Sequence, residues 1–138
     1  MGAVAPDERP LLLDTVAFIF WHADSPRLTP RARTALHQSL ARPIYVSVVS
    51  AFEIATKVRL GQLHVPSAIM SDFQYVVEAD GFRMLDLDAH AAVRAGQLVS
   101  AHRDPFDRLL AAQALTRECT IVTLDDVFAR EFGVDVFW

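Results

Sequence analysis

Along the chain, short blocks of continuous apolar residues alternate with longer blocks in which apolar positions recur every three to four residues. Leu11-Leu12-Leu13, closed by Asp14, predicts a short buried strand. Thr15 to Ala23 follows with helical spacing and stops at Asp24-Ser25-Pro26. Thr29-Pro30 places a hydroxyl cap before a proline at the first helical position, so a helix is expected from there to about Ala41. Ile44-Tyr45-Val46 is the second strand, and Ser47 or Ser50 opens a helix through Leu60, stopped by Gly61. Pro66 opens a helix to about Asp80, ended by Gly81, and Phe82 to Leu87 reads as a strand. Helices are expected over Asp88 to Ser100 and from Asp104-Pro105 to Glu118, a strand over Thr120 to Leu124, a short helix over Asp126 to Phe132 and a last strand over Val134 to Trp138. Strands alternating with helices, with apolar runs in the strands, predict an α/β fold whose mostly parallel sheet is covered on both faces. In such a sheet the functional crevice lies beyond the carboxyl ends of the strands.

The 138 residues fit one domain, and 52% hydrophobic against 22% charged residues excludes a disordered or low-complexity chain. We read residues 11–138 as that domain, and residues 1–10 as a flexible N-terminal arm, an expression remnant or the product of a misplaced start codon. That segment, with Asp7 and Glu8, does not read as a secretory signal, and no apolar run reaches the ~20 residues of a membrane span. The single Cys119 excludes an internal disulfide framework and fits a reducing compartment, so a cytoplasmic location without membrane attachment is expected. The net charge of −4 argues against blanket neutralisation of nucleic-acid phosphates, so any contact with nucleic acid is local or metal-assisted.

Four acids fall near predicted helix N-termini, three of them just beyond a strand: Asp14, Glu53, Asp107 and Asp125. Each has a structural explanation. Acids favour the positive end of the helix dipole, Ser50-Ala51-Phe52-Glu53 fits a capping box, and Asp14 and Asp125 can cap the helices that follow them. Jointly they mean something else. A parallel sheet gathers its carboxyl ends on one edge, and acids crowded there raise one another's pKa unless a cation sits among them. Oxygen ligands suit Mg²⁺ or Mn²⁺, whereas His22, His37, His64, His90 and His102 lack a zinc spacing. Thr15, Ser50 and Thr123 adjoin the acids with hydroxyls able to orient carboxylates or water, capping and strand propensity being the alternative.

The segments Leu-Leu-Leu-Asp-Thr at 11–15, Val-Ser-Val-Val-Ser-Ala-Phe-Glu-Ile-Ala-Thr-Lys at 46–57, Arg-Leu-Gly-Gln-Leu at 59–63, His-Arg-Asp-Pro-Phe-Asp-Arg-Leu-Leu-Ala-Ala-Gln-Ala at 102–114 and Ile-Val-Thr-Leu-Asp at 121–125 resemble a PIN-domain ribonuclease, specifically a VapC-type toxin of a type II toxin–antitoxin pair. The resemblance implies a three-layer α/β/α sandwich and a metal-dependent endoribonuclease in which a metal-activated water attacks the phosphodiester. It makes Asp14, Glu53, Asp107 and Asp125 the catalytic, Mg²⁺- or Mn²⁺-holding acids, with Asp14 and Asp107 nearest the metal and Asp104 left to cap the helix. Lys57 and Arg108 become candidates for RNA phosphates, with a solvated helix face or an ion pair as the alternative. A homodimer and a cognate antitoxin covering the site are also implied, with Val16, Phe18, Ile19 and Trp21 as candidate groove residues or core. The segment Met1 to Pro10 ahead of the first acid departs from the family pattern.

Other acid-bearing α/β folds fit less well. A receiver domain needs a lysine near a late strand, whereas the only lysine is Lys57 on a helix. A haloacid-dehalogenase-type phosphatase needs an acid where Val16 stands, and a dinucleotide fold needs glycines absent from Asp14-Thr15-Val16-Ala17. The remaining alternative is a non-catalytic PIN-like module that binds RNA or protein.

Overall fold

A computed structural model describes residues 8–138. Among them are five strands, β1 (Leu11–Leu13), β2 (Ile44–Ser47), β3 (Arg83–Leu85), β4 (Thr120–Val122) and β5 (Val136–Phe137). They form one sheet in the order β3-β2-β1-β4-β5, with every pairing parallel. β1 lies at the centre, with Leu13 opposite Val46 on one side and Val122 on the other. The chain winds outward from β1 to β2 and β3, then crosses back to β4 and β5. The winding therefore reverses between β1 and β4, and in open parallel sheets such a switch point opens a crevice at the carboxyl ends.

Among the described residues, eight helices cover the sheet: α1 (Thr15–His22), α2 (Pro30–Leu36), α3 (Val48–Arg59), α4 (Ser67–Ser71), α5 (Phe73–Ala79), α6 (Ala89–Gln97), α7 (Pro105–Arg117) and α8 (Val127–Phe132). Side chains alternate across a strand, so the Leu11–Leu13 run serves two cores. Leu11 and Leu13 join Phe18, Leu36, Ile54, Ile69 and Val77 on one face, whereas Leu12 joins Leu110, Ile121, Phe128 and Phe132 on the other. Two buried cores separated by one sheet make the expected three-layer sandwich. Of the four residues read as groove or core, Phe18 is fully buried in the first core, and Ile19 and Trp21 pack half-buried against it. Only Val16 of the four is exposed.

Several boundaries differ from those read in the sequence. α2 ends at Leu36 rather than Ala41, because His37 closes it with bonds back to Arg33 and Thr34 carbonyls. The single helix expected from Pro66 to Asp80 is two, because Asp72 leaves helical geometry and caps α5 through the Tyr75 N–H. α3 begins at Val48 with Ser47 as its cap, so Ser50 is no cap and Glu53 lies in the second turn rather than the first. The segment expected as an arm falls, for its first seven residues, outside the described chain. Arg9 pairs with Asp135, and the Pro10 carbonyl accepts the Thr120 N–H.

Candidate functional site

Asp14 follows β1 directly and caps α1, its Oδ1 accepting the Ala17 N–H at 2.7 Å. Its Oδ2 accepts the Thr123 hydroxyl at 2.6 Å, and the same Thr123 oxygen accepts the Asp125 N–H at 2.9 Å. Thr123 therefore ties the end of β4 to the end of β1 and links two of the four acids. Asp125 Oδ1 in turn accepts the Val127 N–H at 3.0 Å, although the cap position of α8 belongs to Asp126, so the expected cap is displaced by one residue. The reversed winding makes these two loops neighbours, although 109 residues separate Asp14 from Thr123.

Glu53 reaches the same place from α3. Its Oε1 accepts the Thr15 hydroxyl at 2.6 Å, and its Oε2 pairs with Lys57 one helical turn on. Thr15 has a single hydroxyl proton and gives it to Glu53, so the 2.9 Å contact with Ser50 is Ser50 donating to Thr15. Ser50 is fully buried within α3 and belongs to this network. All three expected hydroxyls thus meet an acid directly or through one neighbour.

Asp107 comes from the first turn of α7. Asp104 caps that helix, accepting the Phe106 and Asp107 N–H groups at 2.9 and 3.3 Å. Asp107 Oδ2 meets His102 Nε2 at 2.9 Å. The position of α7 is set by a buried pair that sequence reading did not single out. Ser47, the cap of α3, donates to Gln113 Oε1 at 2.6 Å, and Gln113 Nε2 donates to the Asp86 carbonyl at 3.2 Å. A glutamine inside an apolar Leu-Leu-Ala-Ala-Gln-Ala stretch was the available signal.

Asp14, Glu53, Asp107 and Asp125 line one cavity of about 390 Å³ with Asp104, Lys57, Thr15, Val16 and Leu124. Five carboxylates there face one ammonium. Burial pushes Asp14 up to about 6 against the pull of its Thr123 and Ala17 bonds, and the nearby Asp107 and Glu53 charges add to the rise. Burial also raises Asp107, opposed by its His102 bond and reinforced by Asp104 and Glu53. The Glu53 bond holds the Lys57 ammonium firmly protonated. Arg108 does not face this cavity: its guanidinium donates to the carbonyls of Ala95, Gly96, Leu98 and His102.

Carboxylates crowded in a partly desolvated cleft are the donor set of a hard divalent cation. Among the described residues, however, no three His, Cys, Asp or Glu side chains stand grouped to hold an ion. Each acid gives at least one oxygen to a partner within the protein; Glu53 has both engaged, so it must leave Lys57 to hold an ion, whereas Asp107 gives only Oδ2. No described helix is long and apolar enough to cross a membrane.

No curated protein matches the chain. Solved structures with the same fold include VapBC2 from Rickettsia felis bound to a DNA fragment from their promoter, 15% identical over 93% of this chain and 97% of that one, with a TM-score of 0.69. DNA-bound VapBC from Salmonella typhimurium is 20% identical over 94% and 97%, with a TM-score of 0.69. A toxin–antitoxin complex from Klebsiella pneumoniae is 17% identical over 93% and 96%, with a TM-score of 0.60. At such identities the likeness is one of fold. The PIN domain family model matches residues 11–131, a span that runs from β1 into α8 and holds every acid of the cavity. The chain belongs to the PIN domain family.

Proposed function

We propose that this PIN domain is a metal-dependent endoribonuclease and a VapC-type toxin restrained by a cognate antitoxin. The observation that carries the reading is the convergence of Asp14, Glu53, Asp107 and Asp125 on one cavity at the switch point of the sheet. Asp14 and Asp107 would hold Mg²⁺ or Mn²⁺ most directly, with Glu53 and Asp125 acting through water or a second ion. When bound, the ion supplies phosphoryl polarisation and a water of lowered pKa. The chain's own residues do the remaining work. Thr123 and Thr15 fix the carboxylates of Asp14 and Glu53, and Lys57, released from Glu53, offers an ammonium to an RNA phosphate. A local cation beside a metal site fits a chain of net charge −4 better than a basic surface does.

An antitoxin partner is supported by the fold shared with VapBC and toxin–antitoxin complexes, and a homodimer in a cytoplasmic setting completes the reading. The test is purified, partner-free protein incubated with total RNA and Mg²⁺ or Mn²⁺, beside Asp14→Asn and Asp107→Asn. Discrete fragments with wild type, lost with EDTA and in both variants, are expected. Cleavage unchanged in Asp107→Asn would remove that residue from the site. No cleavage together with no metal-induced rise in melting temperature would favour the non-catalytic module.

A further inference from the structure

Asp107 is the one acid of the cavity whose side chain meets a histidine, and that histidine stands outside every helix and strand. A loop side chain holds a fixed direction only if its backbone is fixed, and here the fixing group is Arg108. Its Nε donates to the Ala95 carbonyl and its Nη1 to the His102 carbonyl, both at 3.0 Å. Its Nη2 donates to the Leu98 carbonyl at 2.6 Å and to the Gly96 carbonyl at 3.4 Å. One guanidinium thus gathers the end of α6 and the loop after it. Ser100 Oγ accepts the His102 N–H at 3.0 Å, and the His102 ring packs edge-on against Phe132, with centroids 5.8 Å apart. Backbone, ring and ring nitrogen of His102 are therefore all engaged.

We infer that His102 is a positioning residue for Asp107 and that Arg108 is the strut that holds His102 in place. A carboxylate only accepts hydrogen bonds, so His102 Nε2 carries the hydrogen, fixing Asp107 Oδ2. Among the described residues Asp107 Oδ1 has no partner and remains available to the cavity that Asp107 lines. Fixing one carboxylate oxygen in this way orients the other, and outer partners of ligating groups commonly contribute about 10- to 100-fold in metal affinity. Arg108 and Asp107 are adjacent in sequence, so a helix start that delivers the acid also delivers the clamp for the loop that orients it. Lysine could not replace that clamp, because a single ammonium cannot reach carbonyls spread in the plane of a guanidinium.

The inference rests on the metal-holding role proposed for Asp107. Its test is a Mn²⁺ titration of the full chain by calorimetry, with metal-free unfolding measured in parallel, on wild type, His102→Gln and His102→Phe. Glutamine keeps an N–H donor of similar reach, whereas phenylalanine keeps the ring against Phe132 and removes the donor. Expected is Mn²⁺ affinity within about threefold of wild type for glutamine and a loss of about tenfold or more for phenylalanine. RNA cleavage by the phenylalanine variant should lose kcat with KM little changed. Wild-type binding with equal affinity in both variants overturns the role of His102 while leaving the metal site standing. Absence of Mn²⁺ binding by wild type overturns both. Should phenylalanine fail to fold, His102→Asn replaces it, since its amide is too short to reach Asp107.

Discussion

Asp14 carries two duties that conflict. Its bonds to Ala17 and Thr123 fasten β1, α1 and β4 together, yet its charge is buried beside other carboxylates, and its pKa is pushed up to about 6. The folded chain therefore binds a proton at Asp14 more tightly than the unfolded chain, whose value stays near 3.8. Stability from this group is fully present below that lower value and is lost as pH rises through about 6. A shift of this size corresponds to roughly 3 kcal/mol of strain in the ionised, metal-free protein. Asp14→Asn keeps the cap, so it should stabilise the metal-free chain by about 1–3 kcal/mol near pH 8 and by almost nothing near pH 4, read from urea unfolding at each pH. The two serines of α3 separate at the same scale. Ser47→Ala removes a cap and orphans buried Gln113, for a cost of about 2–3 kcal/mol, and should exceed the ~1 kcal/mol expected for Ser50→Ala in urea unfolding. Cys119 is buried, and burial pushes its thiol up to about 11, which keeps it protonated at neutral pH.

At the scale of elements, α7 shows how local sequence sets a boundary and how it strains one. Asp104-Pro105 begins the helix where a cap followed by proline should begin it, and this was legible because the signal is local. Its end is less favourable. Glu118 adopts the left-handed conformation at φ 55°, which glycine takes without a Cβ penalty. Glu118→Gly should therefore raise stability by about 0.5–1 kcal/mol, with the urea midpoint as the readout. Gly81 is the converse case. At φ +84° an added Cβ would stand 2.7 Å from Ser39 Oγ, so Gly81→Ala should destabilise by more than 1 kcal/mol in the same assay. The sequence left the start of α3 open between two serines, since both fit a capping pattern. Only packing decides that Ser50 turns inward to Thr15 while Ser47 bonds the Val49 N–H and reaches Gln113.

At the scale of the molecule, the fold holds an electrostatic tension that a divalent cation would relieve. Mg²⁺ or Mn²⁺ at about 100 times its dissociation constant should stabilise the chain by about 2.7 kcal/mol. The effect should shrink below about pH 6, where protons compete for Asp14, and Asp14→Asn should remove most of it; thermal unfolding with metal and with EDTA reads both. The alternation of strands and helices, the four acids and their hydroxyl neighbours were legible in the sequence, because burial pattern, capping and turn chemistry act over a few residues. The fate of Arg108 was not. Beside Asp107 in the chain it read as a phosphate contact, but on a helix adjacent side chains diverge by about 100°, and Arg108 turns to the α6 loop while Asp107 lines the cavity. For the same reason the Asp107 partner, His102, was not legible as more than a scattered histidine. What the sequence determined by itself was which residues can carry charge and the order in which strands and helices follow one another. Which of those charges meet, which face water and which are held by a neighbour was decided by the tertiary structure, because the order of strands and the rotation of each helix depend on contacts between distant segments.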